Sequence, residues 1–159
     1  MLLTPYRVLD LTRTRGMLCA QILGDLGADV IQVEPLGGAE GRNIGPFFKA
    51  IDDKEHSLSW WGYSRGKRSI ELDMDAQREI FLDLLKRADF LIESEPVGSL
   101  AAAGLSYEAL HKINPALIQV SITPYGLTGP KSAWLASDIT LMASAGPLAM
   151  TGDDGLPPV

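Results

Sequence analysis

Two short stretches of this chain concentrate fixed positive charge beside glycine. The first, Thr12-Arg13-Thr14-Arg15-Gly16, follows a strand-like run and precedes a helical pattern. A helix N-terminus offers unpaired backbone N–H groups and the positive end of its dipole, and two arginines beside it add fixed cationic donors, so an anionic ligand would be held well there. Spacing alone equally allows Arg13 and Arg15 to be solvated loop residues. The second stretch, Arg65-Gly66-Lys67-Arg68, is the densest positive cluster and precedes another strand-like run. It reads either as a contact for the phosphates of a nucleotide-like ligand or as a solvated basic turn.

Other chemistry-bearing residues are more isolated. Asp138 has no charged neighbour between Ser132 and Thr151. Burial would raise the pKa of such a carboxylate and fit it for covalent or acid/base work, whereas the alternative is an N-cap for a helix over Ile139 to Ala145. His56 and His111 have no partner at catalytic spacing, and Cys19 falls inside a helical pattern as a small apolar residue would. Gly16, Gly24 and Gly27 do not make G-x-G-x-x-G, so Glu34, at the position of a ribose-binding acid, lacks the glycines that would give it that role. No G-x-S-x-G nucleophile elbow and no Cys/His cluster of structural-zinc spacing occurs, so no metal is expected.

The elements that must position these residues follow from periodicity. Five runs have strand length and composition: Arg7 to Leu11, Val30 to Glu34, Ser69 to Leu72, Phe90 to Glu93 and Leu117 to Ile122. Between them, Ala76 to Arg87 carries Ile80, Phe81, Leu84 and Leu85 at helical spacing, Met17 to Leu26 is a helix closed by Gly27, and Ser106 caps a helix that runs to Lys112. Alternating strands and helices predict an α/β fold, an open and mostly parallel sheet of about five strands with helices on both faces. Two long connections, Pro35 to Arg68 and Thr123 to Ser137, would leave the carboxyl ends of strands, where such sheets place their ligands.

Composition narrows the partners. With 159 residues, 46% hydrophobic and 21% charged, the chain is an ordinary globular domain in make-up. Its net charge of −6 disfavours nucleic acid as the main partner. One cysteine excludes an intrachain disulfide framework and fits a reducing cytoplasm. The start, Met1 to Arg7, lacks the pattern of a signal peptide, and the stretch from Ala133 to Met150 is broken by Asp138 and Gly146-Pro147, so no membrane span is expected.

The ordered motifs Val8-Leu9-Asp10-Leu11-Thr12, Leu26-Gly27-Ala28-Asp29-Val30 through Glu34-Pro35, and Arg65-Gly66-Lys67-Arg68-Ser69-Ile70-Glu71-Leu72-Asp73 resemble the N-terminal part of the class III coenzyme A transferases. That group includes formyl-CoA and carnitine CoA-transferases and the α-methylacyl-CoA racemases. The resemblance continues through Arg87 to Glu93, Ile113 to Ile118, Tyr125-Gly126-Leu127-Thr128-Gly129-Pro130, Thr151-Gly152 and Gly155-Leu156-Pro157-Pro158. It implies that residues 1–159 are the N-terminal part of a Rossmann-like large domain. It also implies a CoA thioester as substrate with no permanently bound cofactor, and chains that interlock as a homodimer. On the same resemblance, Arg15, Gly16, Arg65, Lys67, Arg68, Leu72 and Gly98 match positions lining the CoA site. The family's nucleophilic aspartate, which forms an acyl anhydride and then an enzyme-CoA thioester, is expected beyond Val159, while Asp138 matches an acidic position near the catalytic centre.

Three departures from the resembling pattern stand out. The first loop reads Arg15-Gly16-Met17-Leu18 in place of an Ala-Gly-Pro segment. The run after the fourth strand is Glu93-Ser94-Glu95, with a carboxylate where the family has an aromatic ring. Leu100-Ala101-Ala102-Ala103-Gly104 lacks an arginine often found there. Weakened binding of a polyanion is the expected consequence. Ser137-Asp138 stands where racemases have His-Asp, which argues against racemisation.

Overall fold

In the computed structural model, residues 1–51, 53–153 and 155–156 are described. The five strand-like runs form β1 (Arg7–Leu11), β2 (Asp29–Glu34), β3 (Arg68–Glu71), β4 (Phe90–Glu93) and β5 (Ile118–Ser121), each within a residue or so of expectation. They make one sheet in the order β3-β2-β1-β4-β5, and every neighbouring pair is parallel. The order reverses beside β1, so the chain leaves β1 and β4 in opposite directions and a crevice opens at their carboxyl ends.

Alternation along β1 sorts the core into two faces. Leu9 and Leu11 join Ile31, Val33, Leu91, Phe81, Leu85 and Leu110 on one side. Val8 joins Val30, Ile92 and Ala20 on the other. The first face is covered by α3 (Arg78–Leu85) and α5 (Tyr107–Ile113), the second by α1 (Met17–Asp25). Each large side chain buried this way contributes about 1.5–3 kcal/mol.

The ends of the helices follow their sequence signals. The Ser106 hydroxyl accepts the Ala109 N–H at 3.3 Å, and Asn114 stops α5 while its side-chain amide donates to the Leu85 and Ala88 carbonyls at 3.0 and 2.7 Å. Gly16 precedes α1 with φ +90°, a left-handed conformation that favours glycine.

Two short helices lie in segments for which the sequence indicated no helix. The long connection after β2 contains α2 (Leu58–Ser64), whose Trp60 is buried, and a short α4 (Ser99–Ala102) follows β4. Periodicity could not expose α2, because its seven residues span only two turns. The chain divides into two compact units, Met1–Ile122 and Thr123–Val159. The second contains α6 (Asp138–Ala145), and within it the Tyr125 and Trp134 rings meet edge to face at 6.2 Å. Pro157-Pro158 of the resembling motif lies outside the described residues. No described helix is long and apolar enough to cross a membrane.

Candidate functional site at the carboxyl ends of the strands

A cleft of about 580 Å³ opens where β1, β2 and β3 end. Leu11, Val33, Leu36, Leu72 and Met74 give it apolar walls, and Arg13, Glu40, Asp73 and Glu95 give it a charged rim. Such a volume with a few convergent polar groups is typical of a small-molecule site.

Glu34, at the end of β2, is fully buried in this wall, and its polar atoms are all engaged. Arg42 donates to it in a fork, Nε to Oε2 at 2.7 Å and Nη2 to Oε1 at 2.8 Å. The Ala39 N–H adds a third bond at 2.7 Å and the Ser69 hydroxyl a fourth. Burial alone would raise the Glu34 pKa, but the donors from Arg42, Ser69 and Ala39 outweigh it and hold the carboxyl below its ordinary range. The Arg42 guanidinium lies 4.5 Å from the Trp60 ring centroid. A Cβ on Gly38, at φ +93°, would come within 2.9 Å of the Arg42 side chain, so glycine permits this close packing. Glu34 is therefore a structural anchor of the cleft wall, with no free oxygen to offer a ribose.

Beneath the first loop lies a second closed network. The Lys67 ammonium donates to Asp10 Oδ2 at 2.8 Å, to the Met17 carbonyl at 3.1 Å and to Gln32 Oε1 at 3.3 Å. Asp10 Oδ1 accepts the Thr12 N–H and hydroxyl at 2.9 and 2.7 Å, while the Gln32 amide reaches the Asp10 and Thr12 carbonyls, both at 3.1 Å. The network fixes the path of the chain out of β1.

At the switch point the β1 and β4 loops are tied together. The Arg13 N–H donates to the Ser94 hydroxyl at 3.0 Å, and the Arg13 guanidinium forks onto Glu95, Nε to Oε1 at 2.9 Å and Nη2 to Oε2 at 3.1 Å. The hydrogen bond to Glu95 raises the Arg13 pKa further.

The residues singled out from sequence separate into two groups. Leu72 lines the cleft; Arg15 and Gly16 lie on the β1–α1 loop, and Gly98 precedes α4 at φ +87° on the β4 side. Arg15 is exposed and has no ion-pair partner among the described residues. The basic turn goes elsewhere. Lys67 has all three ammonium hydrogens engaged and its side chain is 2% exposed. Arg68 forks onto Asp29 at 2.9 and 2.6 Å, and Arg65 donates to Asp25 at 2.7 Å. For Arg65 and Arg68 the physical reason is strand direction: residues that enter a parallel strand stand at the end opposite the one where it delivers its ligand loops, whereas Lys67 turns inward and braces the first loop from beneath.

Asp138 is exposed and lacks the burial on which its acid/base reading depends, and the N-cap of α6 is Ser137, one residue earlier than the alternative reading placed it. The Ser137 N–H donates to the Thr140 hydroxyl at 2.9 Å. His56 pairs through Nδ1 with Asp53 at 2.8 Å on the long connection, and His111 stacks on Tyr107 at 5.5 Å. Among the described residues no group of three His, Cys, Asp or Glu side chains stands close enough to hold a metal. Sequence reading did not find Asp73, Met74 or the Arg42–Glu34 fork. Asp73 and Met74 lie just beyond Leu72 at the carboxyl end of β3 and could have been named from strand direction, whereas Arg42 gave no signal of its own.

The sequence model of CoA-transferase family III matches residues 3–159. A succinyl-CoA:(R)-benzylsuccinate CoA-transferase subunit of Thauera aromatica is 42% identical over 156 residues, covering 97% of this chain and 38% of that protein. A succinate–glutarate CoA-transferase of Agrobacterium fabrum is 39% identical over 162 residues, covering 98% and 40% respectively. Among solved structures, a CaiB/BaiF family protein of Brucella suis superposes with a TM-score of 0.86 at 35% identity, covering 98% of this chain and 42% of its own. The chain thus spans about two-fifths of the length of these relatives.

Proposed function

The chain belongs to CoA-transferase family III, and from that premise we propose that its switch-point cleft receives the nucleoside end of a coenzyme A thioester. The observation that carries this reading is the cleft itself, about 580 Å³ at the carboxyl ends of β1 to β3. Its apolar walls suit a flat base, and the Glu40 and Asp73 carboxylates offer acceptors to ribose hydroxyls. Arg15, Gly16 and the first N–H groups of α1 are the donors for the phosphates, with Gly98 on the opposite loop. Arg65, Lys67 and Arg68 serve the site from a distance, by holding the sheet and the first loop in place.

Residues 1–159 are, in this reading, the N-terminal part of the Rossmann-like large domain of a cytoplasmic homodimeric enzyme. The whole enzyme moves CoA between carboxylic acids. An aspartate attacks the acyl thioester and expels CoA, giving an anhydride; the CoA thiolate then attacks that anhydride at the enzyme's own carbonyl, releasing the donor acid and leaving an enzyme-CoA thioester. These residues bind ligand without turning it over alone, and Asp138 acts beside the reacting centre. A second reading, a lobe that serves assembly or folding without catalysis, is favoured by one observation: Glu95 occupies Arg13, removing a cation from the cleft.

Calorimetric titration of the chain with CoA separates the two. Weak saturable binding that Arg15→Ala weakens further is the expected result, with no transfer between acyl-CoA and free acids. An unchanged titration for Arg15→Ala would overturn the phosphate assignment, and micromolar binding would contradict the weakening ascribed to Glu95 and Ala102. Complete absence of binding would favour the assembly lobe.

A further inference from the structure

Arg13 is the one cation among the described residues lining the cleft, and it is already held by a carboxylate of the same chain. We propose that Glu95 is a specificity-determining residue of the switch-point cleft: its carboxylate occupies on Arg13 the place of a ligand's anionic group, so an oxyanion reaches Arg13 only by displacing it. This rests on the reading of the cleft as a CoA site and adds how that site discriminates. Two parallel N–H···O bonds at 2.9 and 3.1 Å are the arrangement by which a guanidinium holds a carboxylate or a phosphate.

The backbones on both sides are fixed, so the exchange involves the side chains. The Arg13 N–H is tied to Ser94, and the Glu95 N–H donates to the buried Glu93 carboxylate at 2.7 Å. The Arg13 side chain is 56% exposed and therefore within reach of a ligand, while that of Glu95 is 19% exposed. The pair stands on a shared wall. Leu11, Arg13, Met74 and Glu95 line both the 580 Å³ cleft and an adjoining hollow of about 250 Å³, so the Arg13–Glu95 pair faces both spaces.

Charge decides what enters while the pair is closed. Glu34 is neutralised by Arg42, but Glu40 and Asp73 remain on the rim, and Arg13 is cancelled by Glu95. The closed cleft thus favours a neutral base and sugar over a phosphate. Loss of the Glu95 charge reverses that preference.

Titration of the full chain with adenosine, CoA and inorganic pyrophosphate tests this at low ionic strength. Because a partly exposed ion pair of this kind is worth little, Glu95→Gln is expected to tighten pyrophosphate and CoA by about fivefold while leaving adenosine unchanged. Arg13→Gln added to Glu95→Gln should abolish the gain. Equal pyrophosphate affinity in the parent and Glu95→Gln, or a gain that survives loss of Arg13, overturns the proposal. Glu95→Ala gives the same reading should the glutamine variant fold poorly. A pyrophosphate gain without any binding of adenosine or CoA would uphold the role of Glu95 and sink the CoA reading instead.

Discussion

Lys67 illustrates how a charge that looks solvent-facing in sequence can be committed inside a fold. Its ammonium satisfies Asp10, Gln32 and the Met17 carbonyl in a site where the Lys67 side chain is 2% and the Asp10 side chain 0% exposed. Removing one partner of a buried pair leaves the other charge without compensation, so Lys67→Met should destabilise the chain by about 3–5 kcal/mol. Adding Asp10→Asn should recover part of that loss, and chemical denaturation of both variants measures it. Glu34 makes a second residue-scale prediction. Its folded pKa lies below the 4.5 of an ordinary glutamate, so the carboxylate binds a proton less readily in the native state than in the unfolded one. The stability it supplies is therefore complete above that ordinary value and is lost as the pH falls through the lower, folded one. Denaturation midpoints of Glu34→Gln and the parent should converge as the pH drops below about 4.5, and a constant gap between them would refute the assignment.

At the scale of elements, α2 is the piece that turns the long connection into a wall. Ser57 starts it: its hydroxyl accepts the Trp60 N–H at 3.1 Å while donating to the Ile44 carbonyl, and the residue is fully buried. Ser57→Ala removes the cap and one tie across the loop, and should cost about 1–2 kcal/mol, read from the thermal midpoint. Loss of Trp60 fluorescence burial is the accompanying signal. The strands, α1, α3 and α5 were legible because each carries a period of two or of 3.6 over enough residues, or a serine, glycine or asparagine with one clear terminal role. α2 was not, since Trp60 is its one buried residue and a single apolar contact has no period. The site was legible in part for a related reason. The connections after β2 and β5 were placed by strand direction and the loop after β1 by its arginines beside a helix start, but the basic turn was read by its charge and by the family resemblance. Arg65 and Arg68 find Asp25 and Asp29 from positions at the opposite end of the sheet, and no local pattern announces partners 40 and 39 residues away.

For the molecule as a whole, the charge balance opposes the coenzyme A ligand proposed for the cleft. A net charge of −6 faces a polyanion, and the closed Arg13–Glu95 pair leaves Arg15 and helix-terminal N–H groups as the local attraction. Long-range repulsion between protein and ligand is screened within about 8–10 Å at 0.1–0.15 M salt, whereas close hydrogen bonds to backbone N–H groups are screened much less. Salt should therefore act opposite to its usual effect on phosphate binding. Raising ionic strength from a few millimolar to physiological levels should leave the affinity for CoA unchanged or increase it, with the increase carried by the association rate. Glu95→Gln exposes Arg13 and should restore the ordinary dependence, in which added salt weakens binding. Stopped-flow association across a salt series for both proteins measures the two slopes. A parent that loses affinity with salt as steeply as the variant would show that local cations, and not the overall negative field, govern entry to the cleft.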